Sequence, residues 1–127
     1  MEKRQVLLDT NILFVPFRFR VDIFAGIEEM LSEPWEAVVS SRIIRELRRV
    51  AQRKGRHAIE AKLALSMLEK KQVKIIASEM PVDEWLFSYA KEHGAVVVTN
   101  DSELIKKLKK NGIKVLVLRA KARIGSV

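Results

Sequence analysis

The chain has 127 residues, 24 Lys plus Arg against 16 Asp plus Glu, a formal net charge of +8, 48% hydrophobic residues and no Cys. A chain of this length hides roughly two-thirds of its unfolded surface in one core. Collagen-like, low-complexity and disulfide-framed classes are excluded, as are thiolate catalysis and Cys-based zinc sites. No apolar run approaches the ~20 residues of a membrane span, and no apolar h-region follows the first five residues. The chain reads as one cytoplasmic domain over 1–127, with no membrane partner and a short basic tail over 119–127. Its cationic excess favours polyanions, among them RNA, DNA and anionic lipid.

Residues 5–8 form an apolar run that stops at Asp9, Thr10 and Asn11, a buried strand closed by turn-forming side chains. Residues 12–19 show no clear period. Ile23, Phe24, Ile27 and Leu31 recur at helical spacing and predict a helix over 22–31, with Pro34 after its end. Residues 37–39 predict a second strand, after which Ser40 or Ser41 can cap a helix striped by Ile43, Leu47 and Val50. Gly55 separates it from a helix over 57–71 that carries Ile59, Leu63, Leu65, Met67 and Leu68 on a broad apolar face. Residues 73–77 predict a third strand. Pro81 can open a helix with Asp83 and Glu84 in its first turn, where the dipole favours acids, and Gly94 ends it. A fourth strand follows over 95–98, then a turn at Thr99, Asn100 and Asp101. A Lys-rich helix over 102–110 stops at Asn111 and Gly112, and residues 115–118 predict a fifth strand. Near-continuous apolar strands alternating with helices imply an α/β fold, an open parallel sheet with helices on both faces.

Ligands of such sheets collect beyond the carboxyl ends of the strands, and acids occupy those ends here. Asp9 follows the first strand, Glu46 lies about one turn into the helix after the second, Asp83 opens the helix after the third, and Asp101 follows the fourth. Each has a plainer reading. Asp9 and Asn11 can make a side-chain turn, Asp83 and Glu84 can complement a helix dipole, and Asn100 with Glu103 fits a capping box. Glu46 is the only acid among Arg42, Arg45, Arg48, Arg49, Arg53, Lys54 and Arg56, and a pair with Arg42 or Arg49 at helical spacing would account for it. Taken together, clustered carboxylates either hold protons or bind a hard divalent cation. Oxygen-only ligation points to Mg²⁺ or Mn²⁺, which can activate water and hold phosphate oxygens without histidine or thiol. His57 and His93 read as helix-surface and last-turn residues.

These acids, in this order, resemble the PIN-domain ribonucleases. The motifs are Leu7-Leu8-Asp9-Thr10-Asn11, Ser40-Ser41 through Glu46-Leu47, Asp83 with Leu86 and Ala90, and Val98-Thr99-Asn100-Asp101, covering almost the whole chain. The resemblance implies a three-layer α/β/α fold with a five-stranded parallel sheet in the order 3-2-1-4-5. It implies that Asp9, Glu46, Asp83 and Asp101 hold the metal, that Glu84 can take part, and that Asn11 with Thr99 or Asn100 supports the site. The resulting expectation is a divalent-metal-dependent endoribonuclease. The stretch from Asp9 through Val15-Pro16-Phe17-Arg18-Phe19-Arg20 to Phe24 looks more like processome-type relatives that mature ribosomal RNA than like VapC-type toxins held by an antitoxin. The corresponding partners are RNA, with pre-ribosomal proteins or an antitoxin, and family members commonly form homodimers.

An RNA surface can be traced in the residues. Phe14, Phe17 and Phe19 alternate with Arg18 and Arg20, where rings could stack on bases and guanidinium groups could hold phosphates; core packing of the phenylalanines is the plainer reading. Arg42, Arg45, Arg48 and Arg49 around Glu46, the lysines at 106, 107, 109 and 110, and the tail cations Arg119, Lys121 and Arg123 are further candidates. A phosphorelay receiver would need an Asp after the third strand, where Ala77-Ser78-Glu79 stands, and a haloacid-dehalogenase-type phosphatase would need an acid at Asn11. The remaining rival is an RNA-binding or assembly module without catalysis.

Overall fold

The computed structural model describes residues 2–119 and 123–127. Its six strands are β1 (Arg4–Leu8), β2 (Trp35–Ser40), β3 (Lys74–Ile76), β4 (Val96–Val98), β5 (Val115–Arg119) and β6 (Arg123–Ser126). Its helices are α1 (Val15–Phe19), α2 (Ile23–Met30), α3 (Ser41–Ala51), α4 (Arg56–Lys70), α5 (Val82–His93) and α6 (Ser102–Lys110). The sheet runs β3-β2-β1-β4-β5-β6.

The first five strands pair in parallel in the expected order, and the sheet is one strand wider than expected. Residues expected as a basic tail form β6, antiparallel to β5, with Leu118 opposite Ile124 and Arg119 opposite Arg123. Lys121 lies outside the described residues. Packing places this strand. Ile124 is buried, and a side chain at Gly26 would meet its Cγ1 at 2.7 Å, so α2 approaches β6 through the missing Cβ of that glycine.

Strand alternation sorts the core into two layers. Val6, Leu8, Val39, Val96, Val98 and Leu116 face a cluster that includes Ile23, Ile27, Ile43, Leu47 and Ala61 from α2, α3 and α4. Leu7, Val38, Val97 and Val115 face Leu86, Ala90, Leu104 and Leu108 from α5 and α6. Both faces of the central strands are therefore buried, which is why their sequences are continuous apolar runs.

Residues 12–19, without period in the sequence, fold as a short 3-10 helix (Thr10–Phe14) running into α1. Phe14 is buried and Phe17 packs partly on the core, whereas Phe19 is 54% exposed. Ser40 rather than Ser41 caps α3, its hydroxyl accepting the Ile43 N–H. Ser41 instead exchanges two hydrogen bonds with the Ser78 backbone and so fixes the loop after β3. Gly94 ends α5 with φ of 64°, a left-handed turn open to glycine. No helix among the described residues is long and apolar enough to cross a membrane.

Candidate active site

Asp9 leaves β1 in extended conformation at the middle of the sheet's carboxyl edge and is 6% exposed. Its backbone N–H donates to the Val98 carbonyl at 3.1 Å, joining the ends of β1 and β4. Its side chain accepts the Thr10 N–H on Oδ1 and the Thr99 hydroxyl on Oδ2, each at 2.7 Å. Thr99 is wholly buried, and its Oγ1 also accepts the Asp101 N–H at 3.1 Å. One threonine hydroxyl thus orients Asp9 and positions the backbone of Asp101.

Asp101 caps α6, its Oδ1 accepting the N–H groups of Glu103 and Leu104 at 3.0 and 3.1 Å. Sequence spacing assigns a capping box to Asn100 and Glu103; the cap is Asp101, one residue later. Asn100 instead exchanges hydrogen bonds with the Leu118 carbonyl and N–H at 3.1 and 2.8 Å, tying the β4–α6 loop to β5. Asp83 and Glu84 lie in the first turn of α5. With Asp101, Glu103, Leu104 and Lys107 they line an open cavity of about 340 Å³.

Burial pushes the Asp9 carboxyl above its ordinary value of 3.8, its hydrogen bonds to Thr99 and Thr10 oppose that, and the charges of Asp83 and Asp101 raise it further. The structure therefore brings Asp83 and Asp101 to bear on Asp9, in a concentration of negative charge that opposes ionisation of the buried member. Glu46 is half-buried on α3, it is not among the residues lining the acidic cavity, and pairs with Arg42 or Arg49 do not form among the described residues. Asn11 is exposed in the 3-10 helix.

The donor set is all oxygen and carries like charge, which suits a hard divalent cation in kind. Among the described residues no three His, Asp or Glu side chains converge closely enough to hold an ion as placed. Asp9 is held on both carboxylate oxygens and Asp101 on one.

The arginines divide. Arg18 is bound at 3.0 Å by Glu60, a buried acid on α4 that also stands 3.4 Å from His57 Nδ1. Its guanidinium lies 5.8 Å from the Phe14 ring centre, and His57 stacks on the same ring at 4.4 Å. The Arg18 hydrogen bond holds the Glu60 carboxyl below its ordinary range. Arg42 donates to the Glu79 carbonyl at 2.9 Å, and Arg45 meets the Glu79 carboxylate at 3.0 and 3.2 Å. Arg45 and Arg48 share a shallow groove with Ser41, Ile44 and Ile75. Arg49 is exposed on α3, and Arg20 is exposed at the end of α1. Sequence reasoning missed Glu60 and Glu79. The signal for Glu60 was an acid on the apolar side of α4, beside Ala61 and Ala64.

The sequence profile of the PIN like domain family matches residues 6–121. The chain belongs to this family. It is a PIN-like protein 34% identical over 121 residues to ribonuclease VapC4 of Methanocaldococcus jannaschii, with 92% of each chain covered. It is 27% identical over 122 residues to ribonuclease VapC9 of Archaeoglobus fulgidus, covering 95% of this chain and 87% of that one. Among solved structures, the PIN domain endonuclease Utp24 superposes with a TM-score of 0.78 at 20% identity, covering 97% of this chain and 92% of that chain. VapBC-1 from nontypeable Haemophilus influenzae gives 0.59 at 17% identity, over 84% and 93% of the two chains. These last two likenesses concern the PIN fold.

Proposed function

We propose that this PIN-like protein is a VapC-type toxin ribonuclease that hydrolyses RNA phosphodiester bonds with a bound Mg²⁺ or Mn²⁺. The carrying observation is the buried Asp9 carboxylate at the end of the central strand, oriented by Thr10 and Thr99 and facing the charges of Asp83 and Asp101. The end-to-end similarity to VapC4 supports a toxin-type enzyme over ribosomal RNA maturation, the reading that the segment after Asp9 suggests. Likeness to Utp24 at 20% identity speaks to the fold. The reading calls for an RNA substrate and an antitoxin of the VapB kind as partner.

In this reading Asp9, Asp83 and Asp101 hold the ion, with Glu84 beside Asp83 and Glu46 from α3 as further ligands. A cation held by these residues would supply a water nucleophile at neutral pH and charge stabilisation at the phosphate. The chain's own contribution is placement. Thr99 keeps one Asp9 oxygen fixed, the α6 cap fixes one oxygen of Asp101, and burial keeps bulk water from Asp9. Asn11 supports the site from the 3-10 helix, and Asn100 anchors the Asp101 loop to β5. The exposed cations Arg20, Arg48 and Arg49 attract the RNA backbone. Arg18, Arg42 and Arg45 can join only by leaving their present partners.

The test is single-turnover cleavage of labelled transfer RNA and structured ribosomal RNA fragments with Mn²⁺, Mg²⁺ or EDTA, for wild type and Asp9→Asn. Metal-dependent cuts that vanish in Asp9→Asn, with RNA binding retained, are expected. Binding without cleavage under every condition would make the protein a catalytically inactive RNA-binding module.

A further inference from the structure

The antiparallel register of β5 and β6 sets Arg119 directly opposite Arg123. Side chains so placed stand about 5 Å apart at Cβ, and like charges there weaken the pair. Both arginines, with Arg20, line one open cavity of about 490 Å³ beside the start of α2. Arg20 ends α1 in left-handed conformation, with φ of 55° and ψ of 47°, which is disfavoured for a long side chain and accumulates at functional positions. Asp22 and Glu29 line the same cavity. Asp22 is engaged as the cap of α2, accepting the Ala25 N–H at 3.0 Å. Among the described residues no carboxylate lies within 4.0 Å of any of the three guanidinium groups. Arg119 donates one N–H to the Ser126 carbonyl.

The position of this cluster connects it to the acids. The backbones of Arg119, which ends β5, and Arg123, which begins antiparallel β6, lie at the sheet edge where Asp9 follows β1 and Asp101 follows β4, while the Arg119 side chain runs back over Gly125 to the Ser126 carbonyl. The Asn100 side chain bonds the Leu118 backbone and physically joins the Asp101 loop to the residue before Arg119. Three guanidinium groups that line one cavity, none of them in an ion pair among the described residues, match the forked geometry of phosphate oxygens. We propose that Arg20, Arg119 and Arg123 form a phosphate subsite that grips the backbone of the RNA strand one step away from the acids. This rests on the ribonuclease reading above for the identity of the polymer.

Arg123→Glu separates this from a purely structural role, because it sets opposite charges across the β5–β6 pair while removing the subsite. Fluorescence anisotropy with a labelled single-stranded 12-nucleotide RNA, in EDTA to prevent cleavage, reads binding across a salt series. Thermal melting reads stability. We expect Arg123→Glu to melt at or above the wild-type temperature, to bind RNA roughly tenfold more weakly, and to show a log K against log salt slope shallower by roughly 1. Arg20→Asn, which tolerates the left-handed backbone, should weaken binding in the same sense. Inorganic phosphate at matched ionic strength should raise the wild-type melting temperature and leave that of Arg123→Glu unmoved. Unchanged RNA affinity and slope in Arg123→Glu overturns the proposal. Phosphate protection without any RNA defect also overturns it, making this a site for a free anion. Wild-type protein that binds through these arginines but never cuts RNA leaves the subsite standing and removes the nuclease reading instead.

Discussion

Asp9→Asn should separate stability from catalysis. The exchange leaves one side-chain oxygen to accept, so of the two charge-assisted hydrogen bonds of 2.7 Å the one from the Thr10 N–H becomes neutral and the Thr99 hydroxyl must turn to accept from the new amide. These changes cost about 1 kcal/mol each. Against it stands removal of a charge that is 6% exposed and repelled by Asp83 and Asp101, a situation that costs several kcal/mol in real proteins. Because the carboxyl is raised with all of these effects included, relief wins, and the metal-free variant should be more stable near neutral pH by about 1 kcal/mol. For a domain of this size that is about 4 °C in melting temperature. The sign follows from linkage. A raised acid binds its proton more tightly in the folded state, so metal-free wild type gains stability from Asp9 as pH falls from neutral toward 3.8. The gap between variant and wild type should therefore close with acidification. The assay is thermal melting in EDTA from neutral to acidic pH, paired with RNA cleavage in Mn²⁺. A variant less stable than wild type at neutral pH, or a gap that widens on acidification, would refute the reasoning.

Thr99→Val removes the hydroxyl that serves both Asp9 and Asp101 and leaves their groups unpaired; denaturant melts should show a loss of about 1–3 kcal/mol, with reduced cleavage. Ile124→Ala empties the contact of β6 with α2 and should cost about 2–4 kcal/mol in the same assay. Asn100→Ala detaches the Asp101 loop from Leu118 and should cost about 1 kcal/mol while lowering kcat more than it raises KM. Glu60→Gln breaks the ion pair with Arg18. Since the Glu60 carboxyl is lowered, its contribution is fully present above 4.5 and lost as pH falls below it. The variant should therefore be less stable than wild type at neutral pH, with the difference shrinking in acid melts.

The legible parts of this fold are those whose cause is local. Val6 to Leu8 and Val96 to Val98 read as strands because both faces of a parallel sheet are buried. Asp9 read as a strand-end acid because it directly follows such a run. The opaque parts depend on partners far along the chain. Glu60 meets Arg18 across 42 residues, Ser41 meets Ser78 across 37, and neither spacing carries a signal. β6 escaped notice because only Ile124 in it is a large apolar residue and its register depends on a glycine in α2. Asp83 and Asp101 lie on the side of the sheet that Asp9 occupies through strand order, and α3 carries Glu46 half-buried beside its core stripe.

The hydrogen bond between Asp9 and Thr99 joins residues 90 positions apart. Closing a loop of that length opposes folding by about 4 kcal/mol before any contact compensates, and non-local parallel pairing is slow for the same reason. The acids are thus gathered by one of the most distant contacts in the chain. On the ribosome, β1 is made early and waits for β4, the Thr99 turn and α6 to emerge. A growing chain cannot set Asp101 beside Asp9 until β4, the Thr99 turn and the start of α6 have left the exit tunnel, so every truncated product that stops before Thr99 lacks the hydroxyl that orients Asp9.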